Sequence, residues 1–216
     1  MASQLLIIFD LDGTLIKSNI DYEGMRIELR SVLKNFVSTE EFEQISSSYR
    51  SILELIDFIE KNDKTGDILK DSWKFIENQE LKGYETATIE DDVYPTLEKL
   101  QELNHIITIL TNNSRKLTDF GLEKYGLSKY FVYVLTRDEV RNPKPDPEGL
   151  LKTIEHFNKN KEETIFIGDS WLDAETAINA GIKFYYLGND GAPGTRKRVT
   201  PSTGLIEKIS AILSII

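Results

Sequence analysis

The sequence predicts an α/β protein: a doubly wound parallel sheet, interrupted after its first strand by an all-helical insertion. Three observations predict it. Short apolar runs at residues 5–9, 106–110, 131–135, 164–167 and 183–187 have the length and continuity of strands buried on both faces. Beyond about residue 90 these runs alternate with amphipathic segments, which is the βαβ signature of a parallel sheet with helices on both faces. Between residues 22 and 81 the apolar positions recur only at helical spacing, and no strand is read there.

The elements follow in order. The run at residues 5–9 stops at Asp10-Leu11-Asp12-Gly13-Thr14, an acidic turn at a strand end, where α/β proteins place chemistry. Met25, Leu29, Val32, Leu33 and Phe36 then mark one helix. Phe42, Ile45, Tyr49, Ile52, Leu53, Ile56 and Ile59 mark a second, and Ile68, Leu69, Trp73 and Ile76 a third, with the turn cluster at residues 62–67 between the last two. Residues 95–103 read as a helix before the strand at 106–110. A helix at 114–125, closed by Gly126, leads to the strand at 131–135. Residues 147–157 are helical, 164–167 form a strand ending in Gly168-Asp169, and 172–180 form a helix stopped by Gly181. The run at 183–187 is read as the last central strand. Three of the 13 glycines and two of the six prolines fall in residues 188–202, which are read as loop, with Arg196-Lys197-Arg198 solvated. Leu205, Ile206, Ile209, Ile212 and Leu213 predict a closing amphipathic helix.

Composition narrows the function. The 216 residues suffice for one large domain or a domain carrying a smaller inserted one. No cysteine is present, which excludes disulfides, thiolate catalysis and sulfur-ligated metal sites. The formal charge of −10 argues against nucleic-acid binding, which depends on clustered Lys and Arg. No apolar run approaches the length of a bilayer span and no signal peptide is read, so the cytoplasm is the expected location. The acidity is uneven: residues 1–90 carry 18 acidic against 10 basic side chains, and residues 91–216 carry 18 against 16.

Four segments are expected at one edge of the sheet, because parallel strands open all their carboxyl ends onto one crevice. They are Asp10 to Thr14, Thr111-Asn112-Asn113, Lys144 in Asn142-Pro143-Lys144-Pro145-Asp146-Pro147, and Gly168-Asp169-Ser170-Trp171-Leu172-Asp173. Carboxylates without histidine or cysteine are hard oxygen donors, the set that suits Mg2+. His105 and His156 have no acidic neighbour in sequence and are read as structural.

With these four segments the chain resembles the haloacid dehalogenase superfamily, in its phosphoglycolate phosphatase-like branch with a helical cap. Asp10-x-Asp12-Gly13-Thr14 matches the first motif of that family and Thr111 the second. Lys144-Pro145-Asp146-Pro147 matches the third, and Gly168-Asp169 with Asp173 the fourth. The resemblance implies a Rossmann-like catalytic core at residues 1–15 and 89–216 and a helical cap at 16–88. It implies a Mg2+-dependent phosphatase that acts on a small phosphate monoester through an aspartyl-phosphate. Asp10 would be the nucleophile and Asp12 the general acid and base. Asp10, Asp169 and the backbone carbonyl of Asp12 would hold the metal, and Asp173 would bind it directly or orient its waters. Thr111, Asn112 and Lys144 would hold the phosphoryl group. A β-phosphoglucomutase-type mutase and a non-catalytic Asp–Mg2+ phosphate-binding module are the alternatives.

With Asp12 protonated, Mg2+ and Lys144 leave such a site about two positive charges short of a bound phosphate dianion, a gap for oriented N–H groups to close. Arg115, Arg137 and Arg141 are further candidates, and Arg141, three residues before Lys144, is expected to help bind substrate. One departure stands out. Relatives of the phosphoglycolate phosphatase type commonly carry Asp-Ser or Asp-Thr shortly after the first motif, where this chain reads Lys17-Ser18. A lysine there favours an anionic substrate.

Overall fold

The computed structural model describes residues 4–45, 51–188 and 204–216. The chain divides into two compact units: residues 1–18 with 88–216, and residues 19–87.

The first unit is built on a six-stranded parallel sheet: β1 (Leu6–Phe9), β2 (Ile106–Leu110), β3 (Tyr133–Leu135), β4 (Thr164–Gly168), β5 (Lys183–Leu187) and β6 (Gly204–Ile206). The strand order is β3-β2-β1-β4-β5-β6, every neighbouring pair parallel. This is the Rossmann-like order, in which the direction of winding reverses beside β1 and opens a crevice at the carboxyl edge. All four residues of β1 are fully buried, which is why its sequence is uninterrupted by polar residues. Alternation still sorts them between faces. Leu6 and Ile8 join Leu110, Leu135 and Phe166 under Leu150 and Ile154 of α7 (Glu148–His156) and Ala174, Ala177 and Ala180 of α8 (Trp171–Ala180). The alanines let α8 approach the sheet closely. Phe9 points the other way and meets Phe131 edge to face, centroids 6.4 Å apart. Two further helices, α5 (Val93–Glu102) and α6 (Arg115–Lys124), complete the alternation.

The second unit is all helical: α1 (Tyr22–Val32), α2 (Thr39–Ile45), α3 (Ile52–Asn62) and α4 (Asp67–Glu85). Its core is its own. Met25, Leu29 and Leu33 pack with Leu55, Ile56, Ile59 and Ile76, and Phe36 meets Phe58 edge to face at 6.3 Å. Gly83 lies where α4 passes the backbone of Ile20, and a Cβ there would come within 2.6 Å of the Ile20 nitrogen.

Two expectations are corrected. The second predicted helix, drawn through residues 42–59, is two helices. Ser51 caps α3, accepting from the N–H of Glu54 while Glu54 accepts from the N–H of Ser51. This capping box starts a helix afresh inside a run of continuous helical spacing. The run at 183–187 is the last central strand, as read, but the sheet goes on to a further edge strand, β6 at Gly204–Ile206, in a stretch read as part of the closing helix. The closing amphipathic helix is absent as such. After β6 the chain makes a 3-10 turn over Ile209–Ser214. Ile209 and Ile212 are buried because residues three apart share a face at three residues per turn. Tyr49, the loop at 188–202 beyond its first residue, and Arg196-Lys197-Arg198 lie outside the described residues. Among the described residues no helix is long and apolar enough to cross a membrane.

Candidate active site

The carboxyl edge of the sheet gathers the four predicted segments. The N–H of Asp10 continues the ladder of β1 by donating to the carbonyl of Ile167 at 2.8 Å. The chain then folds back: Leu15 and Ile16 both donate to the carbonyl of Leu11, at 2.9 Å, and Gly13 donates to that of Ile16, at 2.7 Å. That turn sets Gly13 at φ 86°, a left-handed conformation natural to glycine. It also leaves no room for a side chain, since a Cβ would lie 2.2 Å from Oδ2 of Asp169. Thr111 extends β2, is buried, and accepts the N–H of Asn113 on its hydroxyl at 3.2 Å.

At the centre is a buried ion cluster. The ammonium of Lys144 donates to Asp10 Oδ1 at 2.6 Å and to Asp173 Oδ1 at 2.5 Å. Asp169 is the third carboxylate: one oxygen from each of Asp10, Asp169 and Asp173 lies within 4.8 Å of the others. Burial pushes Asp10 well above the usual carboxylate pKa. Asp173 and Asp169 add to the rise, and Lys144 opposes it. Burial likewise pushes Asp169 up to about 7, reinforced by Asp173 and Asp12 and opposed by Lys17 and by the hydroxyl of Thr14. Burial works against the charge of Lys144, but Asp10 and Asp173 outweigh it and raise the pKa, so the lysine is firmly protonated. Three clustered carboxylates, Asp10 and Asp173 buried and Asp169 half-buried, thus share one ammonium, which pairs with the two buried ones. A group of hard oxygen donors carrying surplus negative charge suits a divalent cation such as Mg2+, which would favour the ionised form of each.

Supporting contacts fix each member. Asp173 has two tasks. Its Oδ2 accepts the N–H of Ser170 at 3.0 Å, closing the capping box at the start of α8, while its Oδ1 faces Lys144. The Ser170-x-x-Asp173 pattern carries that signal in the sequence. Thr14 donates its hydroxyl to Asp169 at 3.2 Å. The loop bearing Lys144, whose peptide bond to Pro145 is cis, is tied from three directions. The Asn112 side chain pairs with the backbone of Lys144, the Glu148 carboxylate accepts the N–H groups of Arg141 and Asn142 at 3.0 Å each, and Asn179 donates to the carbonyl of Pro145 at 3.0 Å. Sequence reasoning placed Thr14 in the first motif without its partner and did not find Glu148 or Asn179, because these partners are set by the fold.

Not every predicted residue joins the centre. The Asp12 carboxylate is outside the group of three, although its charge acts on Asp169. Arg115 is engaged by Glu139 at 3.0 Å and Asp119 at 3.4 Å, and Arg137 donates to the carbonyl of Asn112 at 3.1 Å. Arg141 is exposed. His105 accepts the N–H of Leu5 at 3.1 Å and His156 stacks on Tyr133 with centroids 4.3 Å apart, both structural roles.

A family model described as haloacid dehalogenase-like hydrolase matches residues 7–187, which takes in all four segments. The chain belongs to this family. It is therefore a hydrolase. Among haloacid dehalogenase-like proteins it is 33% identical over 176 residues to pyrophosphatase PpaX of Listeria monocytogenes serotype 4a, covering 81% of this chain and 78% of that one. It is 30% identical over 195 residues to pyrophosphatase PpaX of Halalkalibacterium halodurans, covering 84% and 82%. A crystal structure of a predicted phosphoglycolate phosphatase from Haemophilus somnus 129PT superposes with a TM-score of 0.70 at 22% identity, over 100% of this chain and 99% of that one. That last likeness concerns the fold alone.

Proposed function

We propose that this hydrolase is a cytoplasmic Mg2+-dependent phosphatase, acting on a small phosphate monoester through an aspartyl-phosphate on Asp10. The observation that carries the reading is the buried cluster of Asp10, Asp169 and Asp173 around Lys144, with more carboxylates than its one ammonium neutralises. Asp10, Asp169 and Asp173, with the backbone carbonyl of Asp12, would hold Mg2+. When bound, it offsets negative charge on the phosphoryl oxygens. Residues 19–87 take the part of the cap.

The chain's own residues divide the work. Lys144 opposes the protonation that burial favours at Asp10, and a bound Mg2+ would add to that, leaving a carboxylate oxygen to attack phosphorus. As that bond forms, the bond from phosphorus to the leaving oxygen breaks and Asp12 gives this oxygen its proton. Asp12, now a carboxylate, takes a proton from water, whose oxygen attacks the aspartyl-phosphate and frees Asp10 and inorganic phosphate. Lys144, the hydroxyl of Thr111 and the backbone N–H of Asn112 hold the phosphoryl oxygens. The Asn112 side chain serves that purpose indirectly, since both its polar atoms engage Lys144.

The test is hydrolysis of phenyl phosphate by purified protein with Mg2+. Turnover that disappears in EDTA and in Asp10→Asn supports the reading, and no turnover by folded protein sinks it. A second reading, hydrolysis of pyrophosphate, is favoured by the relatives at 30% identity or more over four-fifths of the chain, which are named pyrophosphatases. The same steps serve it, with phosphate as the leaving group.

A further inference from the structure

We propose that Lys17 is a specificity-determining residue that selects substrates whose leaving group is itself an anion, such as a second phosphate or a carboxylate-bearing alcohol. The proposal rests on the phosphatase reading above. It is carried by where the Lys17 ammonium is held. The Lys17 backbone is locked by an antiparallel pair with Thr88, donating to its carbonyl at 2.8 Å and accepting from its N–H at 3.0 Å. From that anchor the half-buried side chain turns back over the first motif, and its ammonium donates to the carbonyl of Gly13.

Gly13 lies directly against Asp169, so the ammonium stands at the Asp12–Gly13 side of the acidic cluster. Its charge is felt there, since it opposes the rise in the Asp169 pKa. The two lysines of the site therefore have different duties. Lys144 is paired with Asp10 and Asp173, which leaves one N–H for the phosphoryl group. Lys17 forms no ion pair with a carboxylate among the described residues, and its one side-chain hydrogen bond, to a neutral carbonyl, leaves two ammonium N–H groups for a ligand.

The side of the site follows from the chemistry. Asp12 protonates the leaving oxygen, so the leaving group departs on the Asp12 side, where Lys17 stands. An ammonium already positioned and partly desolvated gains most from a full negative charge and little from a neutral alcohol. The acidic surroundings sharpen the choice: without Lys17, Asp12 and Asp169 would repel a second anion there.

The experiment compares wild type, Lys17→Met and Lys17→Arg on pyrophosphate and on phenyl phosphate, with Mg2+ in constant excess. In Lys17→Met the ratio of kcat/KM for pyrophosphate to that for phenyl phosphate is expected to fall by about tenfold or more, and Lys17→Arg is expected to restore most of it. Binding provides a readout free of turnover. In the Asp10→Asn background calorimetry should show pyrophosphate bound more tightly than phosphate, and adding Lys17→Met should remove the difference. If wild type hydrolyses phenyl phosphate but Lys17→Met lowers both substrates alike, Lys17 only balances charge and the assignment is wrong while the phosphatase reading stands. If wild type hydrolyses neither, the phosphatase reading fails and this inference fails with it.

Discussion

Asn112 and Lys144 exchange two hydrogen bonds across 32 residues of sequence. The Asn112 carboxamide donates to the Lys144 carbonyl at 2.9 Å and accepts its backbone N–H at 2.9 Å. The pair works like one rung of a sheet ladder, made by a side chain, and it holds the main chain from which the Lys144 ammonium reaches Asp10. Replacing Asn112 with Ala leaves both backbone groups to find water. We expect kcat/KM to fall by about 10–100-fold and stability by about 1–2 kcal/mol. Asn112→Asp keeps the acceptor, loses the donor and adds a charge, and should not rescue. Steady-state kinetics with chemical denaturation checks both values, and wild-type kinetics in Asn112→Ala would remove the clamp from the mechanism.

How much of this was legible in the sequence depends on the range of the signal. All five apolar runs contain a strand, and the reading is cleanest at β1, where burial of all four residues leaves no polar residue to blur the run. The chemistry-bearing residues Asp10, Lys144, Asp169 and Asp173 meet, because parallel topology brings distant strand ends to one edge. The sequence misled where one pattern fits two structures. An isoleucine-rich stretch of 12 residues reads as a helix or as a strand with a 3-10 turn, and only pairing with β5 decided for the latter. Contacts such as Asn112 with Lys144 have no local signal at all.

The crowded carboxylates give stability an unusual dependence on metal. Mg2+ bound to the folded state alone at about 100 times its dissociation constant contributes about 2.7 kcal/mol, so Tm should rise by about 5–10 °C over its value in EDTA. Asp169→Asn should abolish most of that rise. Asp10→Asn removes one of the three crowded carboxylates and leaves Lys144 paired with Asp173. In EDTA it should therefore melt above wild type, while in Mg2+ the order reverses or the gap closes. A wild type that melts identically with and without Mg2+ would contradict the metal reading of this cluster.

Glu148 supplies a pH signature away from the cluster. Its carboxylate is bonded by Lys152 at 2.6 Å and by the N–H groups of Arg141 and Asn142, which together lower its pKa to about 2. A carboxylate with a depressed folded-state pKa contributes stability that is fully present above its unfolded value of about 4.3. That contribution is lost as pH falls through about 2. Glu148→Gln should be less stable than wild type at neutral pH, and the gap should narrow through this window and vanish below it. Denaturation midpoints measured from pH 7 to pH 2 test the sign. A gap that does not change with pH would assign the effect to packing instead.

Two glycines separate backbone strain from collision at the site. Gly13 and Gly126 both have positive φ, 86° and 62°. Around Gly126 nothing lies within 4 Å of an added Cβ. Gly126→Ala should therefore cost only the left-handed penalty of about 1–2 kcal/mol, with activity unchanged. At Gly13 the same methyl would sit 2.2 Å from Oδ2, 2.6 Å from Cγ and 2.7 Å from Oδ1 of Asp169. Asp169 must then leave its position beside Asp10 and Asp173, and the hydrogen bond from Thr14 that steadies it is lost as well. Gly13→Ala should combine a similar backbone penalty with a loss of kcat/KM of about 100-fold or more. It should also lose the Mg2+-induced rise in Tm. The decisive comparison is the Mg2+ response of the two variants. If Gly13→Ala and Gly126→Ala both retain the full rise, the contact between Gly13 and Asp169 does not hold the carboxylate in place.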